Sequence, residues 1–169
     1  FFETAAPKHV DTFITRAKEG HFDKMAIDQI RRAGDSASPI TGAVEEMHFG
    51  LVATKEEQDR AKWEEERGKL DDKTVGAIEF EDSRISHFPM MVAAASGKDG
   101  KSIPTRIWIN VSDASAEHDG KRVVFGKVIA GQDVARKLVL DPVFSREDER
   151  SSGRGTPRDT IRIQSITIE

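Results

Sequence analysis

A mainly β domain with two short amphipathic helices is what this sequence predicts, and three stretches carry that expectation. Arg122 to Asp141 reads strand, turn, helix: Val123, Val124 and Phe125 favour a strand, and Val128 and Ile129 resume it. Between them Gly126 marks a bulge or a close backbone approach, so this strand is expected to bend. Thr105 to Asn110 alternates, with Ile107 and Ile109 on one face and Arg106, Trp108 and Asn110 on the other. Pro157 to Glu169 alternates in the same way and reads as a closing strand.

The whole chain sets limits first. Its 169 residues make one domain, able to bury a core without staples. Hydrophobic residues are 37% and charged residues 33%, a soluble composition, and no apolar run approaches the ~18 residues of a membrane span. A net charge of −4 argues against phosphate-driven binding to nucleic acid. Cysteine is absent, which excludes disulfides and thiolate chemistry. The five histidines are scattered without ligand spacing, so no metal site is expected. No P-loop, dinucleotide fingerprint or nucleophile elbow is present. The chain starts at Phe1-Phe2 without an initiator Met, so lost upstream sequence is expected and the compartment, cytoplasmic or exported, stays open.

In order, Phe1-Phe2-Glu3 reads as the end of a truncated strand. A helix follows over Pro7–Glu19, with Pro7 in its first turn, Val10, Phe13, Ile14 and Ala17 on one stripe, and Gly20 as its stop. Arg31-Arg32 are either solvated on a strand edge or turned into a site. Ser36 to Gly42 is turn-rich. Thr54 to about 70 reads as a polar helix with a capping box from Thr54 to Glu57 and only Ala61 and Trp63 apolar. It is either a solvated excursion or a docking element built on Trp63. Met90 to Gly97 is a small-residue strand, Gly97 to Ser102 a loop, and Gln132–Leu140 the second helix.

Several of these stretches resemble the cyclophilins, a family of peptidyl-prolyl cis-trans isomerases. The run from His118-Asp119-Gly120-Lys121-Arg122 through Val123-Val124-Phe125-Gly126-Lys127-Val128 follows the family's signature in order and spacing. So do Phe2 to Asp23, Ile78 to Asp82, Pro89 to Gly97, Thr105 to Asn110 and the tail. The resemblance implies a closed eight-stranded antiparallel β-barrel capped by the two helices, with 54–70 as an inserted surface helix. It also implies a strand pair within residues 22–35 and a groove on the barrel's outside.

Carried residue by residue, the resemblance puts Gln29 where the family has its catalytic arginine, with Arg32 near a groove glutamine. Arg106 takes another glutamine position and Trp108 the phenylalanine that floors the proline pocket. Met91, Ala94, Ala95, Glu117, His118 and Arg122 are the implied peptide-contacting positions, Arg122 at the family's groove histidine. The loop 112–119 lacks the tryptophan that contacts cyclosporin, so weak cyclosporin binding is expected. No cofactor is implied, and a monomer acting on proline-containing polypeptide segments is expected. With a neutral Gln29 at the arginine position, the expected activity is weak or narrowly specific isomerisation, with Arg32, Arg106, Arg122 and Gln29 as candidate donors. A barrel that binds proline segments without isomerising them is the alternative, and a role centred on Trp63 is a third.

Overall fold

The computed structural model describes residues 1–31, 46–50, 77–97, 100–111, 118–139, 143–144, 154–157 and 161–169. In chain order these form α1 (Pro7–Lys18), β1 (Ile27–Arg31), β2 (Glu46–Phe49), β3 (Ile78–Glu79), β4 (Met91–Ser96) and β5 (Lys101–Asn110). Then come β6 (Val123–Lys127), α2 (Gln132–Leu138), β7 (Val143–Phe144) and β8 (Arg154–Pro157). The inserted helix expected over 54–70, with Trp63, lies outside the described residues, as do Arg32 and Glu117.

The strands form one antiparallel sheet ordered β6-β4-β5-β2-β1-β8-β7, with β3 added to β5. Mainly β with two helices is therefore correct. Closure by hydrogen bonds is not seen among the described residues, where the two ends of the path, β6 and β7, are not paired with one another. The tail is also less regular than its alternation predicts. Pro157 belongs to β8, and among the described residues 161–169 make one isolated bridge, Ala26 to Arg162, with Ile27 N donating to Ile161 O and Ile163 N to Met25 O. Its alternate isoleucines, Ile161, Ile163, Ile166 and Ile168, still pack on the core.

Of residues 22–35, where the resemblance implies a strand pair, 22–31 are described and hold one strand, β1, which runs antiparallel to β2, with fourteen residues between them, and to β8. A strand pair need not be a tight hairpin, and the short run Glu-Met-His-Phe carries too little pattern to announce itself. β5 likewise begins earlier than expected, taking Lys101 and Ser102 out of the loop reading. It contains Pro104, which has no N–H to donate. The ladder to β4 breaks there: Ala94 pairs with Ile107, but Ala95 pairs with Ile103.

Register alternates the sheet's faces cleanly. Ile27, Phe49, Ile107, Ala94 and Val123 form one row across five strands, and Ile30, Met47, Ile109 and Val92 form another. Both rows belong to the core, which α1 covers through Val10, Phe13 and Ala17. The bend expected in β6 is a bulge: Val92 pairs with Gly126 and Ala93 with Val124, leaving Phe125 unpaired. Phe125 is fully buried in the core, 5.5 Å from the ring of Phe13.

Two close approaches hold the ends. Ala6 gives α1 no side-chain cap. Instead Lys8 N and His9 N donate to the Glu81 carboxylate at 3.2 and 3.0 Å, and His9 Nδ1 lies 2.6 Å from it. An acid at a helix N-terminus satisfies orphan donors and the dipole together. Gly50, at φ +107° just after β2, runs so close to β5 that a Cβ there would overlap the Thr105 carbonyl oxygen.

Candidate functional site

The rows between the core rows build the outer face. Gln29, His48, Trp108, Ala93 and Val124 stand in register across β1, β2, β5, β4 and β6. Arg31, Glu46 and Asn110 form the adjacent row. Directly opposed residues share a face, so this side of the sheet carries an aromatic ring amid polar groups where the other carries aliphatics.

Trp108 is the centre. The His48 ring stacks on it at 3.5 Å between centroids, tilted 28°. The Arg122 guanidinium carbon stands 3.1 Å from the Trp108 ring centroid. At those distances the two cannot share one side, so the indole is sandwiched, with the cation on the electron-rich π face. His118 meets the ring edge-on at 5.9 Å. Trp108 Nε1 and His48 Nδ1 are buried without a hydrogen-bond partner among the described residues.

Glu46 ties these groups together. Its Oε1 accepts from His118 Nε2 at 2.8 Å and lies 3.5 Å from the nearest Arg122 nitrogen, while Oε2 accepts from His48 Nε2 at 3.2 Å. Burial alone would raise this carboxyl's pKa, but the hydrogen bonds from His118 and His48, with the charges of His48 and Arg122, hold it well below the usual carboxylate range. Burial pushes His48 down to about 4, against the pull of the Glu46 hydrogen bond and charge, and Arg122 and Arg106 push the same way as burial. Near neutral pH, Glu46 is ionised and His48 is a neutral ring donating from Nε2, which leaves Nδ1 as a bare acceptor.

A turn supports Arg122 from behind. Lys121 N and Arg122 N donate to His118 O at 3.0 and 3.1 Å. Asp119 accepts from His87 N and sits 2.9 Å from His87 Nδ1. Asn110 Nδ2 donates to the His87 and Phe88 carbonyls at 2.8 and 3.2 Å, tying this irregular stretch to β5. Met91, Ala93 and Val124 form a small apolar cluster on the outer face, with Phe2 and Ile85 against it.

Of the sequence-predicted positions, Gln29, Trp108, Met91, His118 and Arg122 thus come to this face or its rim. Arg106, two residues from Trp108 along β5, lies close enough for its charge to act on His48. Ala94 does not face the groove: it sits on the core face, fully buried. Ala95 is buried too, and its carbonyl accepts from Ser102 Oγ at 3.3 Å. Glu46 and His48 were missed by sequence reasoning. Their one signal is the polar–apolar alternation of Glu46-Met47-His48-Phe49, four residues long. Among the described residues no cluster of histidine and acidic side chains could hold a metal ion, and no helix is long and apolar enough to cross a membrane.

Comparison with solved structures gives the fold. A crystal structure of a Cryptosporidium parvum cyclophilin type peptidyl-prolyl cis-trans isomerase, solved in the presence of the dipeptide Ala-Pro, matches with TM-score 0.66 and 16% identity. The match covers 99% of this chain and 89% of that one. A second crystal structure of a C. parvum cyclophilin type isomerase matches with TM-score 0.64 and 15% identity, over 97% of this chain and 85% of that one. No curated protein matches. The family model for cyclophilin type peptidyl-prolyl cis-trans isomerases matches residues 1–168, nearly the whole chain, and the chain belongs to that family.

Proposed function

We propose that the chain is a peptidyl-prolyl isomerase whose groove is the outer face around Trp108, with weak or narrowly specific activity on X-Pro bonds of polypeptides. The observation that carries this reading is the guanidinium of Arg122 standing 3.1 Å over the Trp108 ring, with a neutral Gln29 two strands away on the same row. An aromatic face and a formal charge lie together there, which supports the reading even with Gln29 at the position the resemblance gives to the arginine.

Isomerisation twists an amide against a barrier of ~18–20 kcal/mol, and no covalent bond is made. What a protein must supply is stronger binding of the twisted amide than of either planar form. The Trp108 face takes the proline ring once Arg122 swings off it. The displaced guanidinium then donates toward the prolyl nitrogen, which accepts only when resonance is lost. Gln29 adds a neutral donor, and the buried Trp108 Nε1 a donor for a peptide carbonyl. Arg106 and Arg32 remain the other candidate cations. Cyclosporin binding is proposed to be weak, because the loop 112–119 lacks a tryptophan.

The alternative, a proline-segment binding module, is favoured by one observation: both faces of Trp108 are covered by the chain's own side chains. Catalysed cis–trans exchange in an Ala-Pro peptide, followed by NMR with and without cyclosporin, separates the two. Exchange above background supports the isomerase. Peptide shift changes without exchange establish the binding module instead.

A further inference from the structure

The two faces of Trp108 are covered in different ways. In the ladder its neighbours are His48 on β2 and Ala93 on β4. Ala93 is too short to fill the space beside an indole, and that side is taken by Arg122, which arrives from the turn before β6. Arg122 also lines a cleft of about 160 Å³ with Phe80, Arg84 and Ile85. The β4 side of the ring therefore lies toward open space. The β2 side is closed by the His48 ring, 3.5 Å away between centroids and 28° from parallel.

His48 is held firmly enough to act as a backing. It stands directly opposite Trp108, at the short separation of cross-strand pairs. Just beyond that pair, Gly50 brings β2 hard against the Thr105 carbonyl of β5, so the two strands cannot drift apart cheaply. Glu46, two residues back and hence on the same face, accepts from His48 Nε2 at 3.2 Å. Its other oxygen is engaged by His118 Nε2 at 2.8 Å, so the carboxylate that orients the imidazole is itself anchored. The far edge of the imidazole gains nothing: Nδ1 is buried without a hydrogen-bond partner among the described residues. A buried polar atom left unpaired is a cost, and what the ring returns for it is its flat face.

We propose that His48 is a positioning residue of the groove: oriented by Glu46, its ring backs Trp108 from the β2 side and fixes the plane on which the proline ring is received from the β4 side. The inference rests on the groove reading above. A backed indole holds planar and twisted prolyl groups alike, so His48 acts on peptide binding and leaves the exchange of bound peptide to the donors around it.

The test compares the wild-type protein with two variants. His48→Phe keeps a flat ring and loses the hydrogen bond to Glu46, while His48→Gln keeps a donor and loses the ring. A blocked Ala-Ala-Pro-Ala peptide is titrated by NMR, and its cis–trans exchange is measured at saturation. His48→Gln should bind about tenfold more weakly, the upper end of what an aromatic pair is worth, with exchange at saturation within about twofold of wild type. His48→Phe should restore binding to within about threefold. In the wild-type protein saturated with peptide, NOEs between the His48 ring and the indole should persist, and the proline ring should show NOEs to Trp108 but none to His48. Wild-type affinity in His48→Gln, an equal loss in both variants, a loss confined to exchange, or disappearance of the His48–Trp108 NOEs overturns the positioning role while leaving the groove. Failure of the wild-type protein to bind the peptide overturns the groove reading and the positioning role with it. Because the NOEs are read on the wild-type protein, a variant that does not fold does not remove the test.

Discussion

Arg122 and Trp108 stand face to face, guanidinium carbon 3.1 Å from ring centroid, and the residue that closes the platform is also the nearest cation to it. If the indole is where proline binds, Trp108→Ala abolishes the chemical-shift changes an Ala-Pro peptide induces and reduces catalysed exchange to background. Trp108→Phe, which keeps an aromatic face, retains weaker binding and reports that the fold survives. Undiminished binding by Trp108→Ala would remove the groove from this face.

Acid should destabilise the protein through the same cluster. His48 has a folded pKa of about 4 against an ordinary value of 6.5, so between those values the unfolded chain takes up a proton that the folded chain refuses. Stability contributed by the neutral ring is full above pH 6.5 and falls as the pH drops toward 4, by up to ~3 kcal/mol. Below that the depressed carboxyl of Glu46 carries the loss further, because its contribution is present above its unfolded value and lost as protons return. His9 and His87, also lowered chiefly by burial, add to the slope. Urea unfolding across this range should therefore show a falling free energy, and His48→Gln a visibly shallower fall. An unchanged slope would clear the imidazole of the role.

Two glycines should separate close approach from backbone strain. Gly50→Ala places a methyl on the Thr105 carbonyl oxygen at φ +107°, and should cost at least ~3 kcal/mol in chemical unfolding. Gly100 has φ +71° but nothing within 4 Å of the added carbon, so Gly100→Ala should cost only ~1–2 kcal/mol. Equal penalties would mean that β2 and β5 do not meet as closely as they do here.

The start of α1 depends on a distant carboxylate. Glu81→Ala leaves the N–H groups of Lys8 and His9 without their acceptor and should cost about 1–2 kcal/mol. For a chain of this size that lowers Tm by roughly 2–8 °C. Asp82→Ala next to it, on an exposed side chain, serves as the control and should leave Tm nearly unchanged. A similar small change in both would mean that α1 does not need the cap.

Legibility in the sequence followed pattern length. α1 was readable because four apolar residues repeat at helical spacing, and the bend of β6 because a glycine interrupts a β-branched run. The face carrying Trp108 followed from strict alternation in β5. The pairing of β1 was not readable: the neighbour four residues on along the chain and the neighbour across the ladder are different things, and only tertiary hydrogen bonds name the second. For that reason Glu46 and His48 were invisible as site residues, though each is polar and nearly fully buried. That Ala94 faces the core was not readable, because a strand of small residues gives no sign of which face is inside. That Arg122 comes to the Trp108 face agrees with the position the resemblance gives it. That it lies on Trp108 was not readable, since no local pattern records where a long flexible side chain comes to rest.

The carboxylate that starts α1 belongs to a residue 72 positions further along the chain than His9. During synthesis the first helix therefore emerges without the group that completes it, and Ala6 offers nothing in its place. A twelve-residue helix is marginal alone in water. Its N-terminus must wait, frayed, until the segment around Glu81 has been made and has closed a long loop back onto it. The helix is thus finished only after the segment around Glu81 has been made. The same join locks α1 to the stretch that carries Phe80, Arg84 and Ile85, so the wall of the cleft is set in place in the same step that completes the helix.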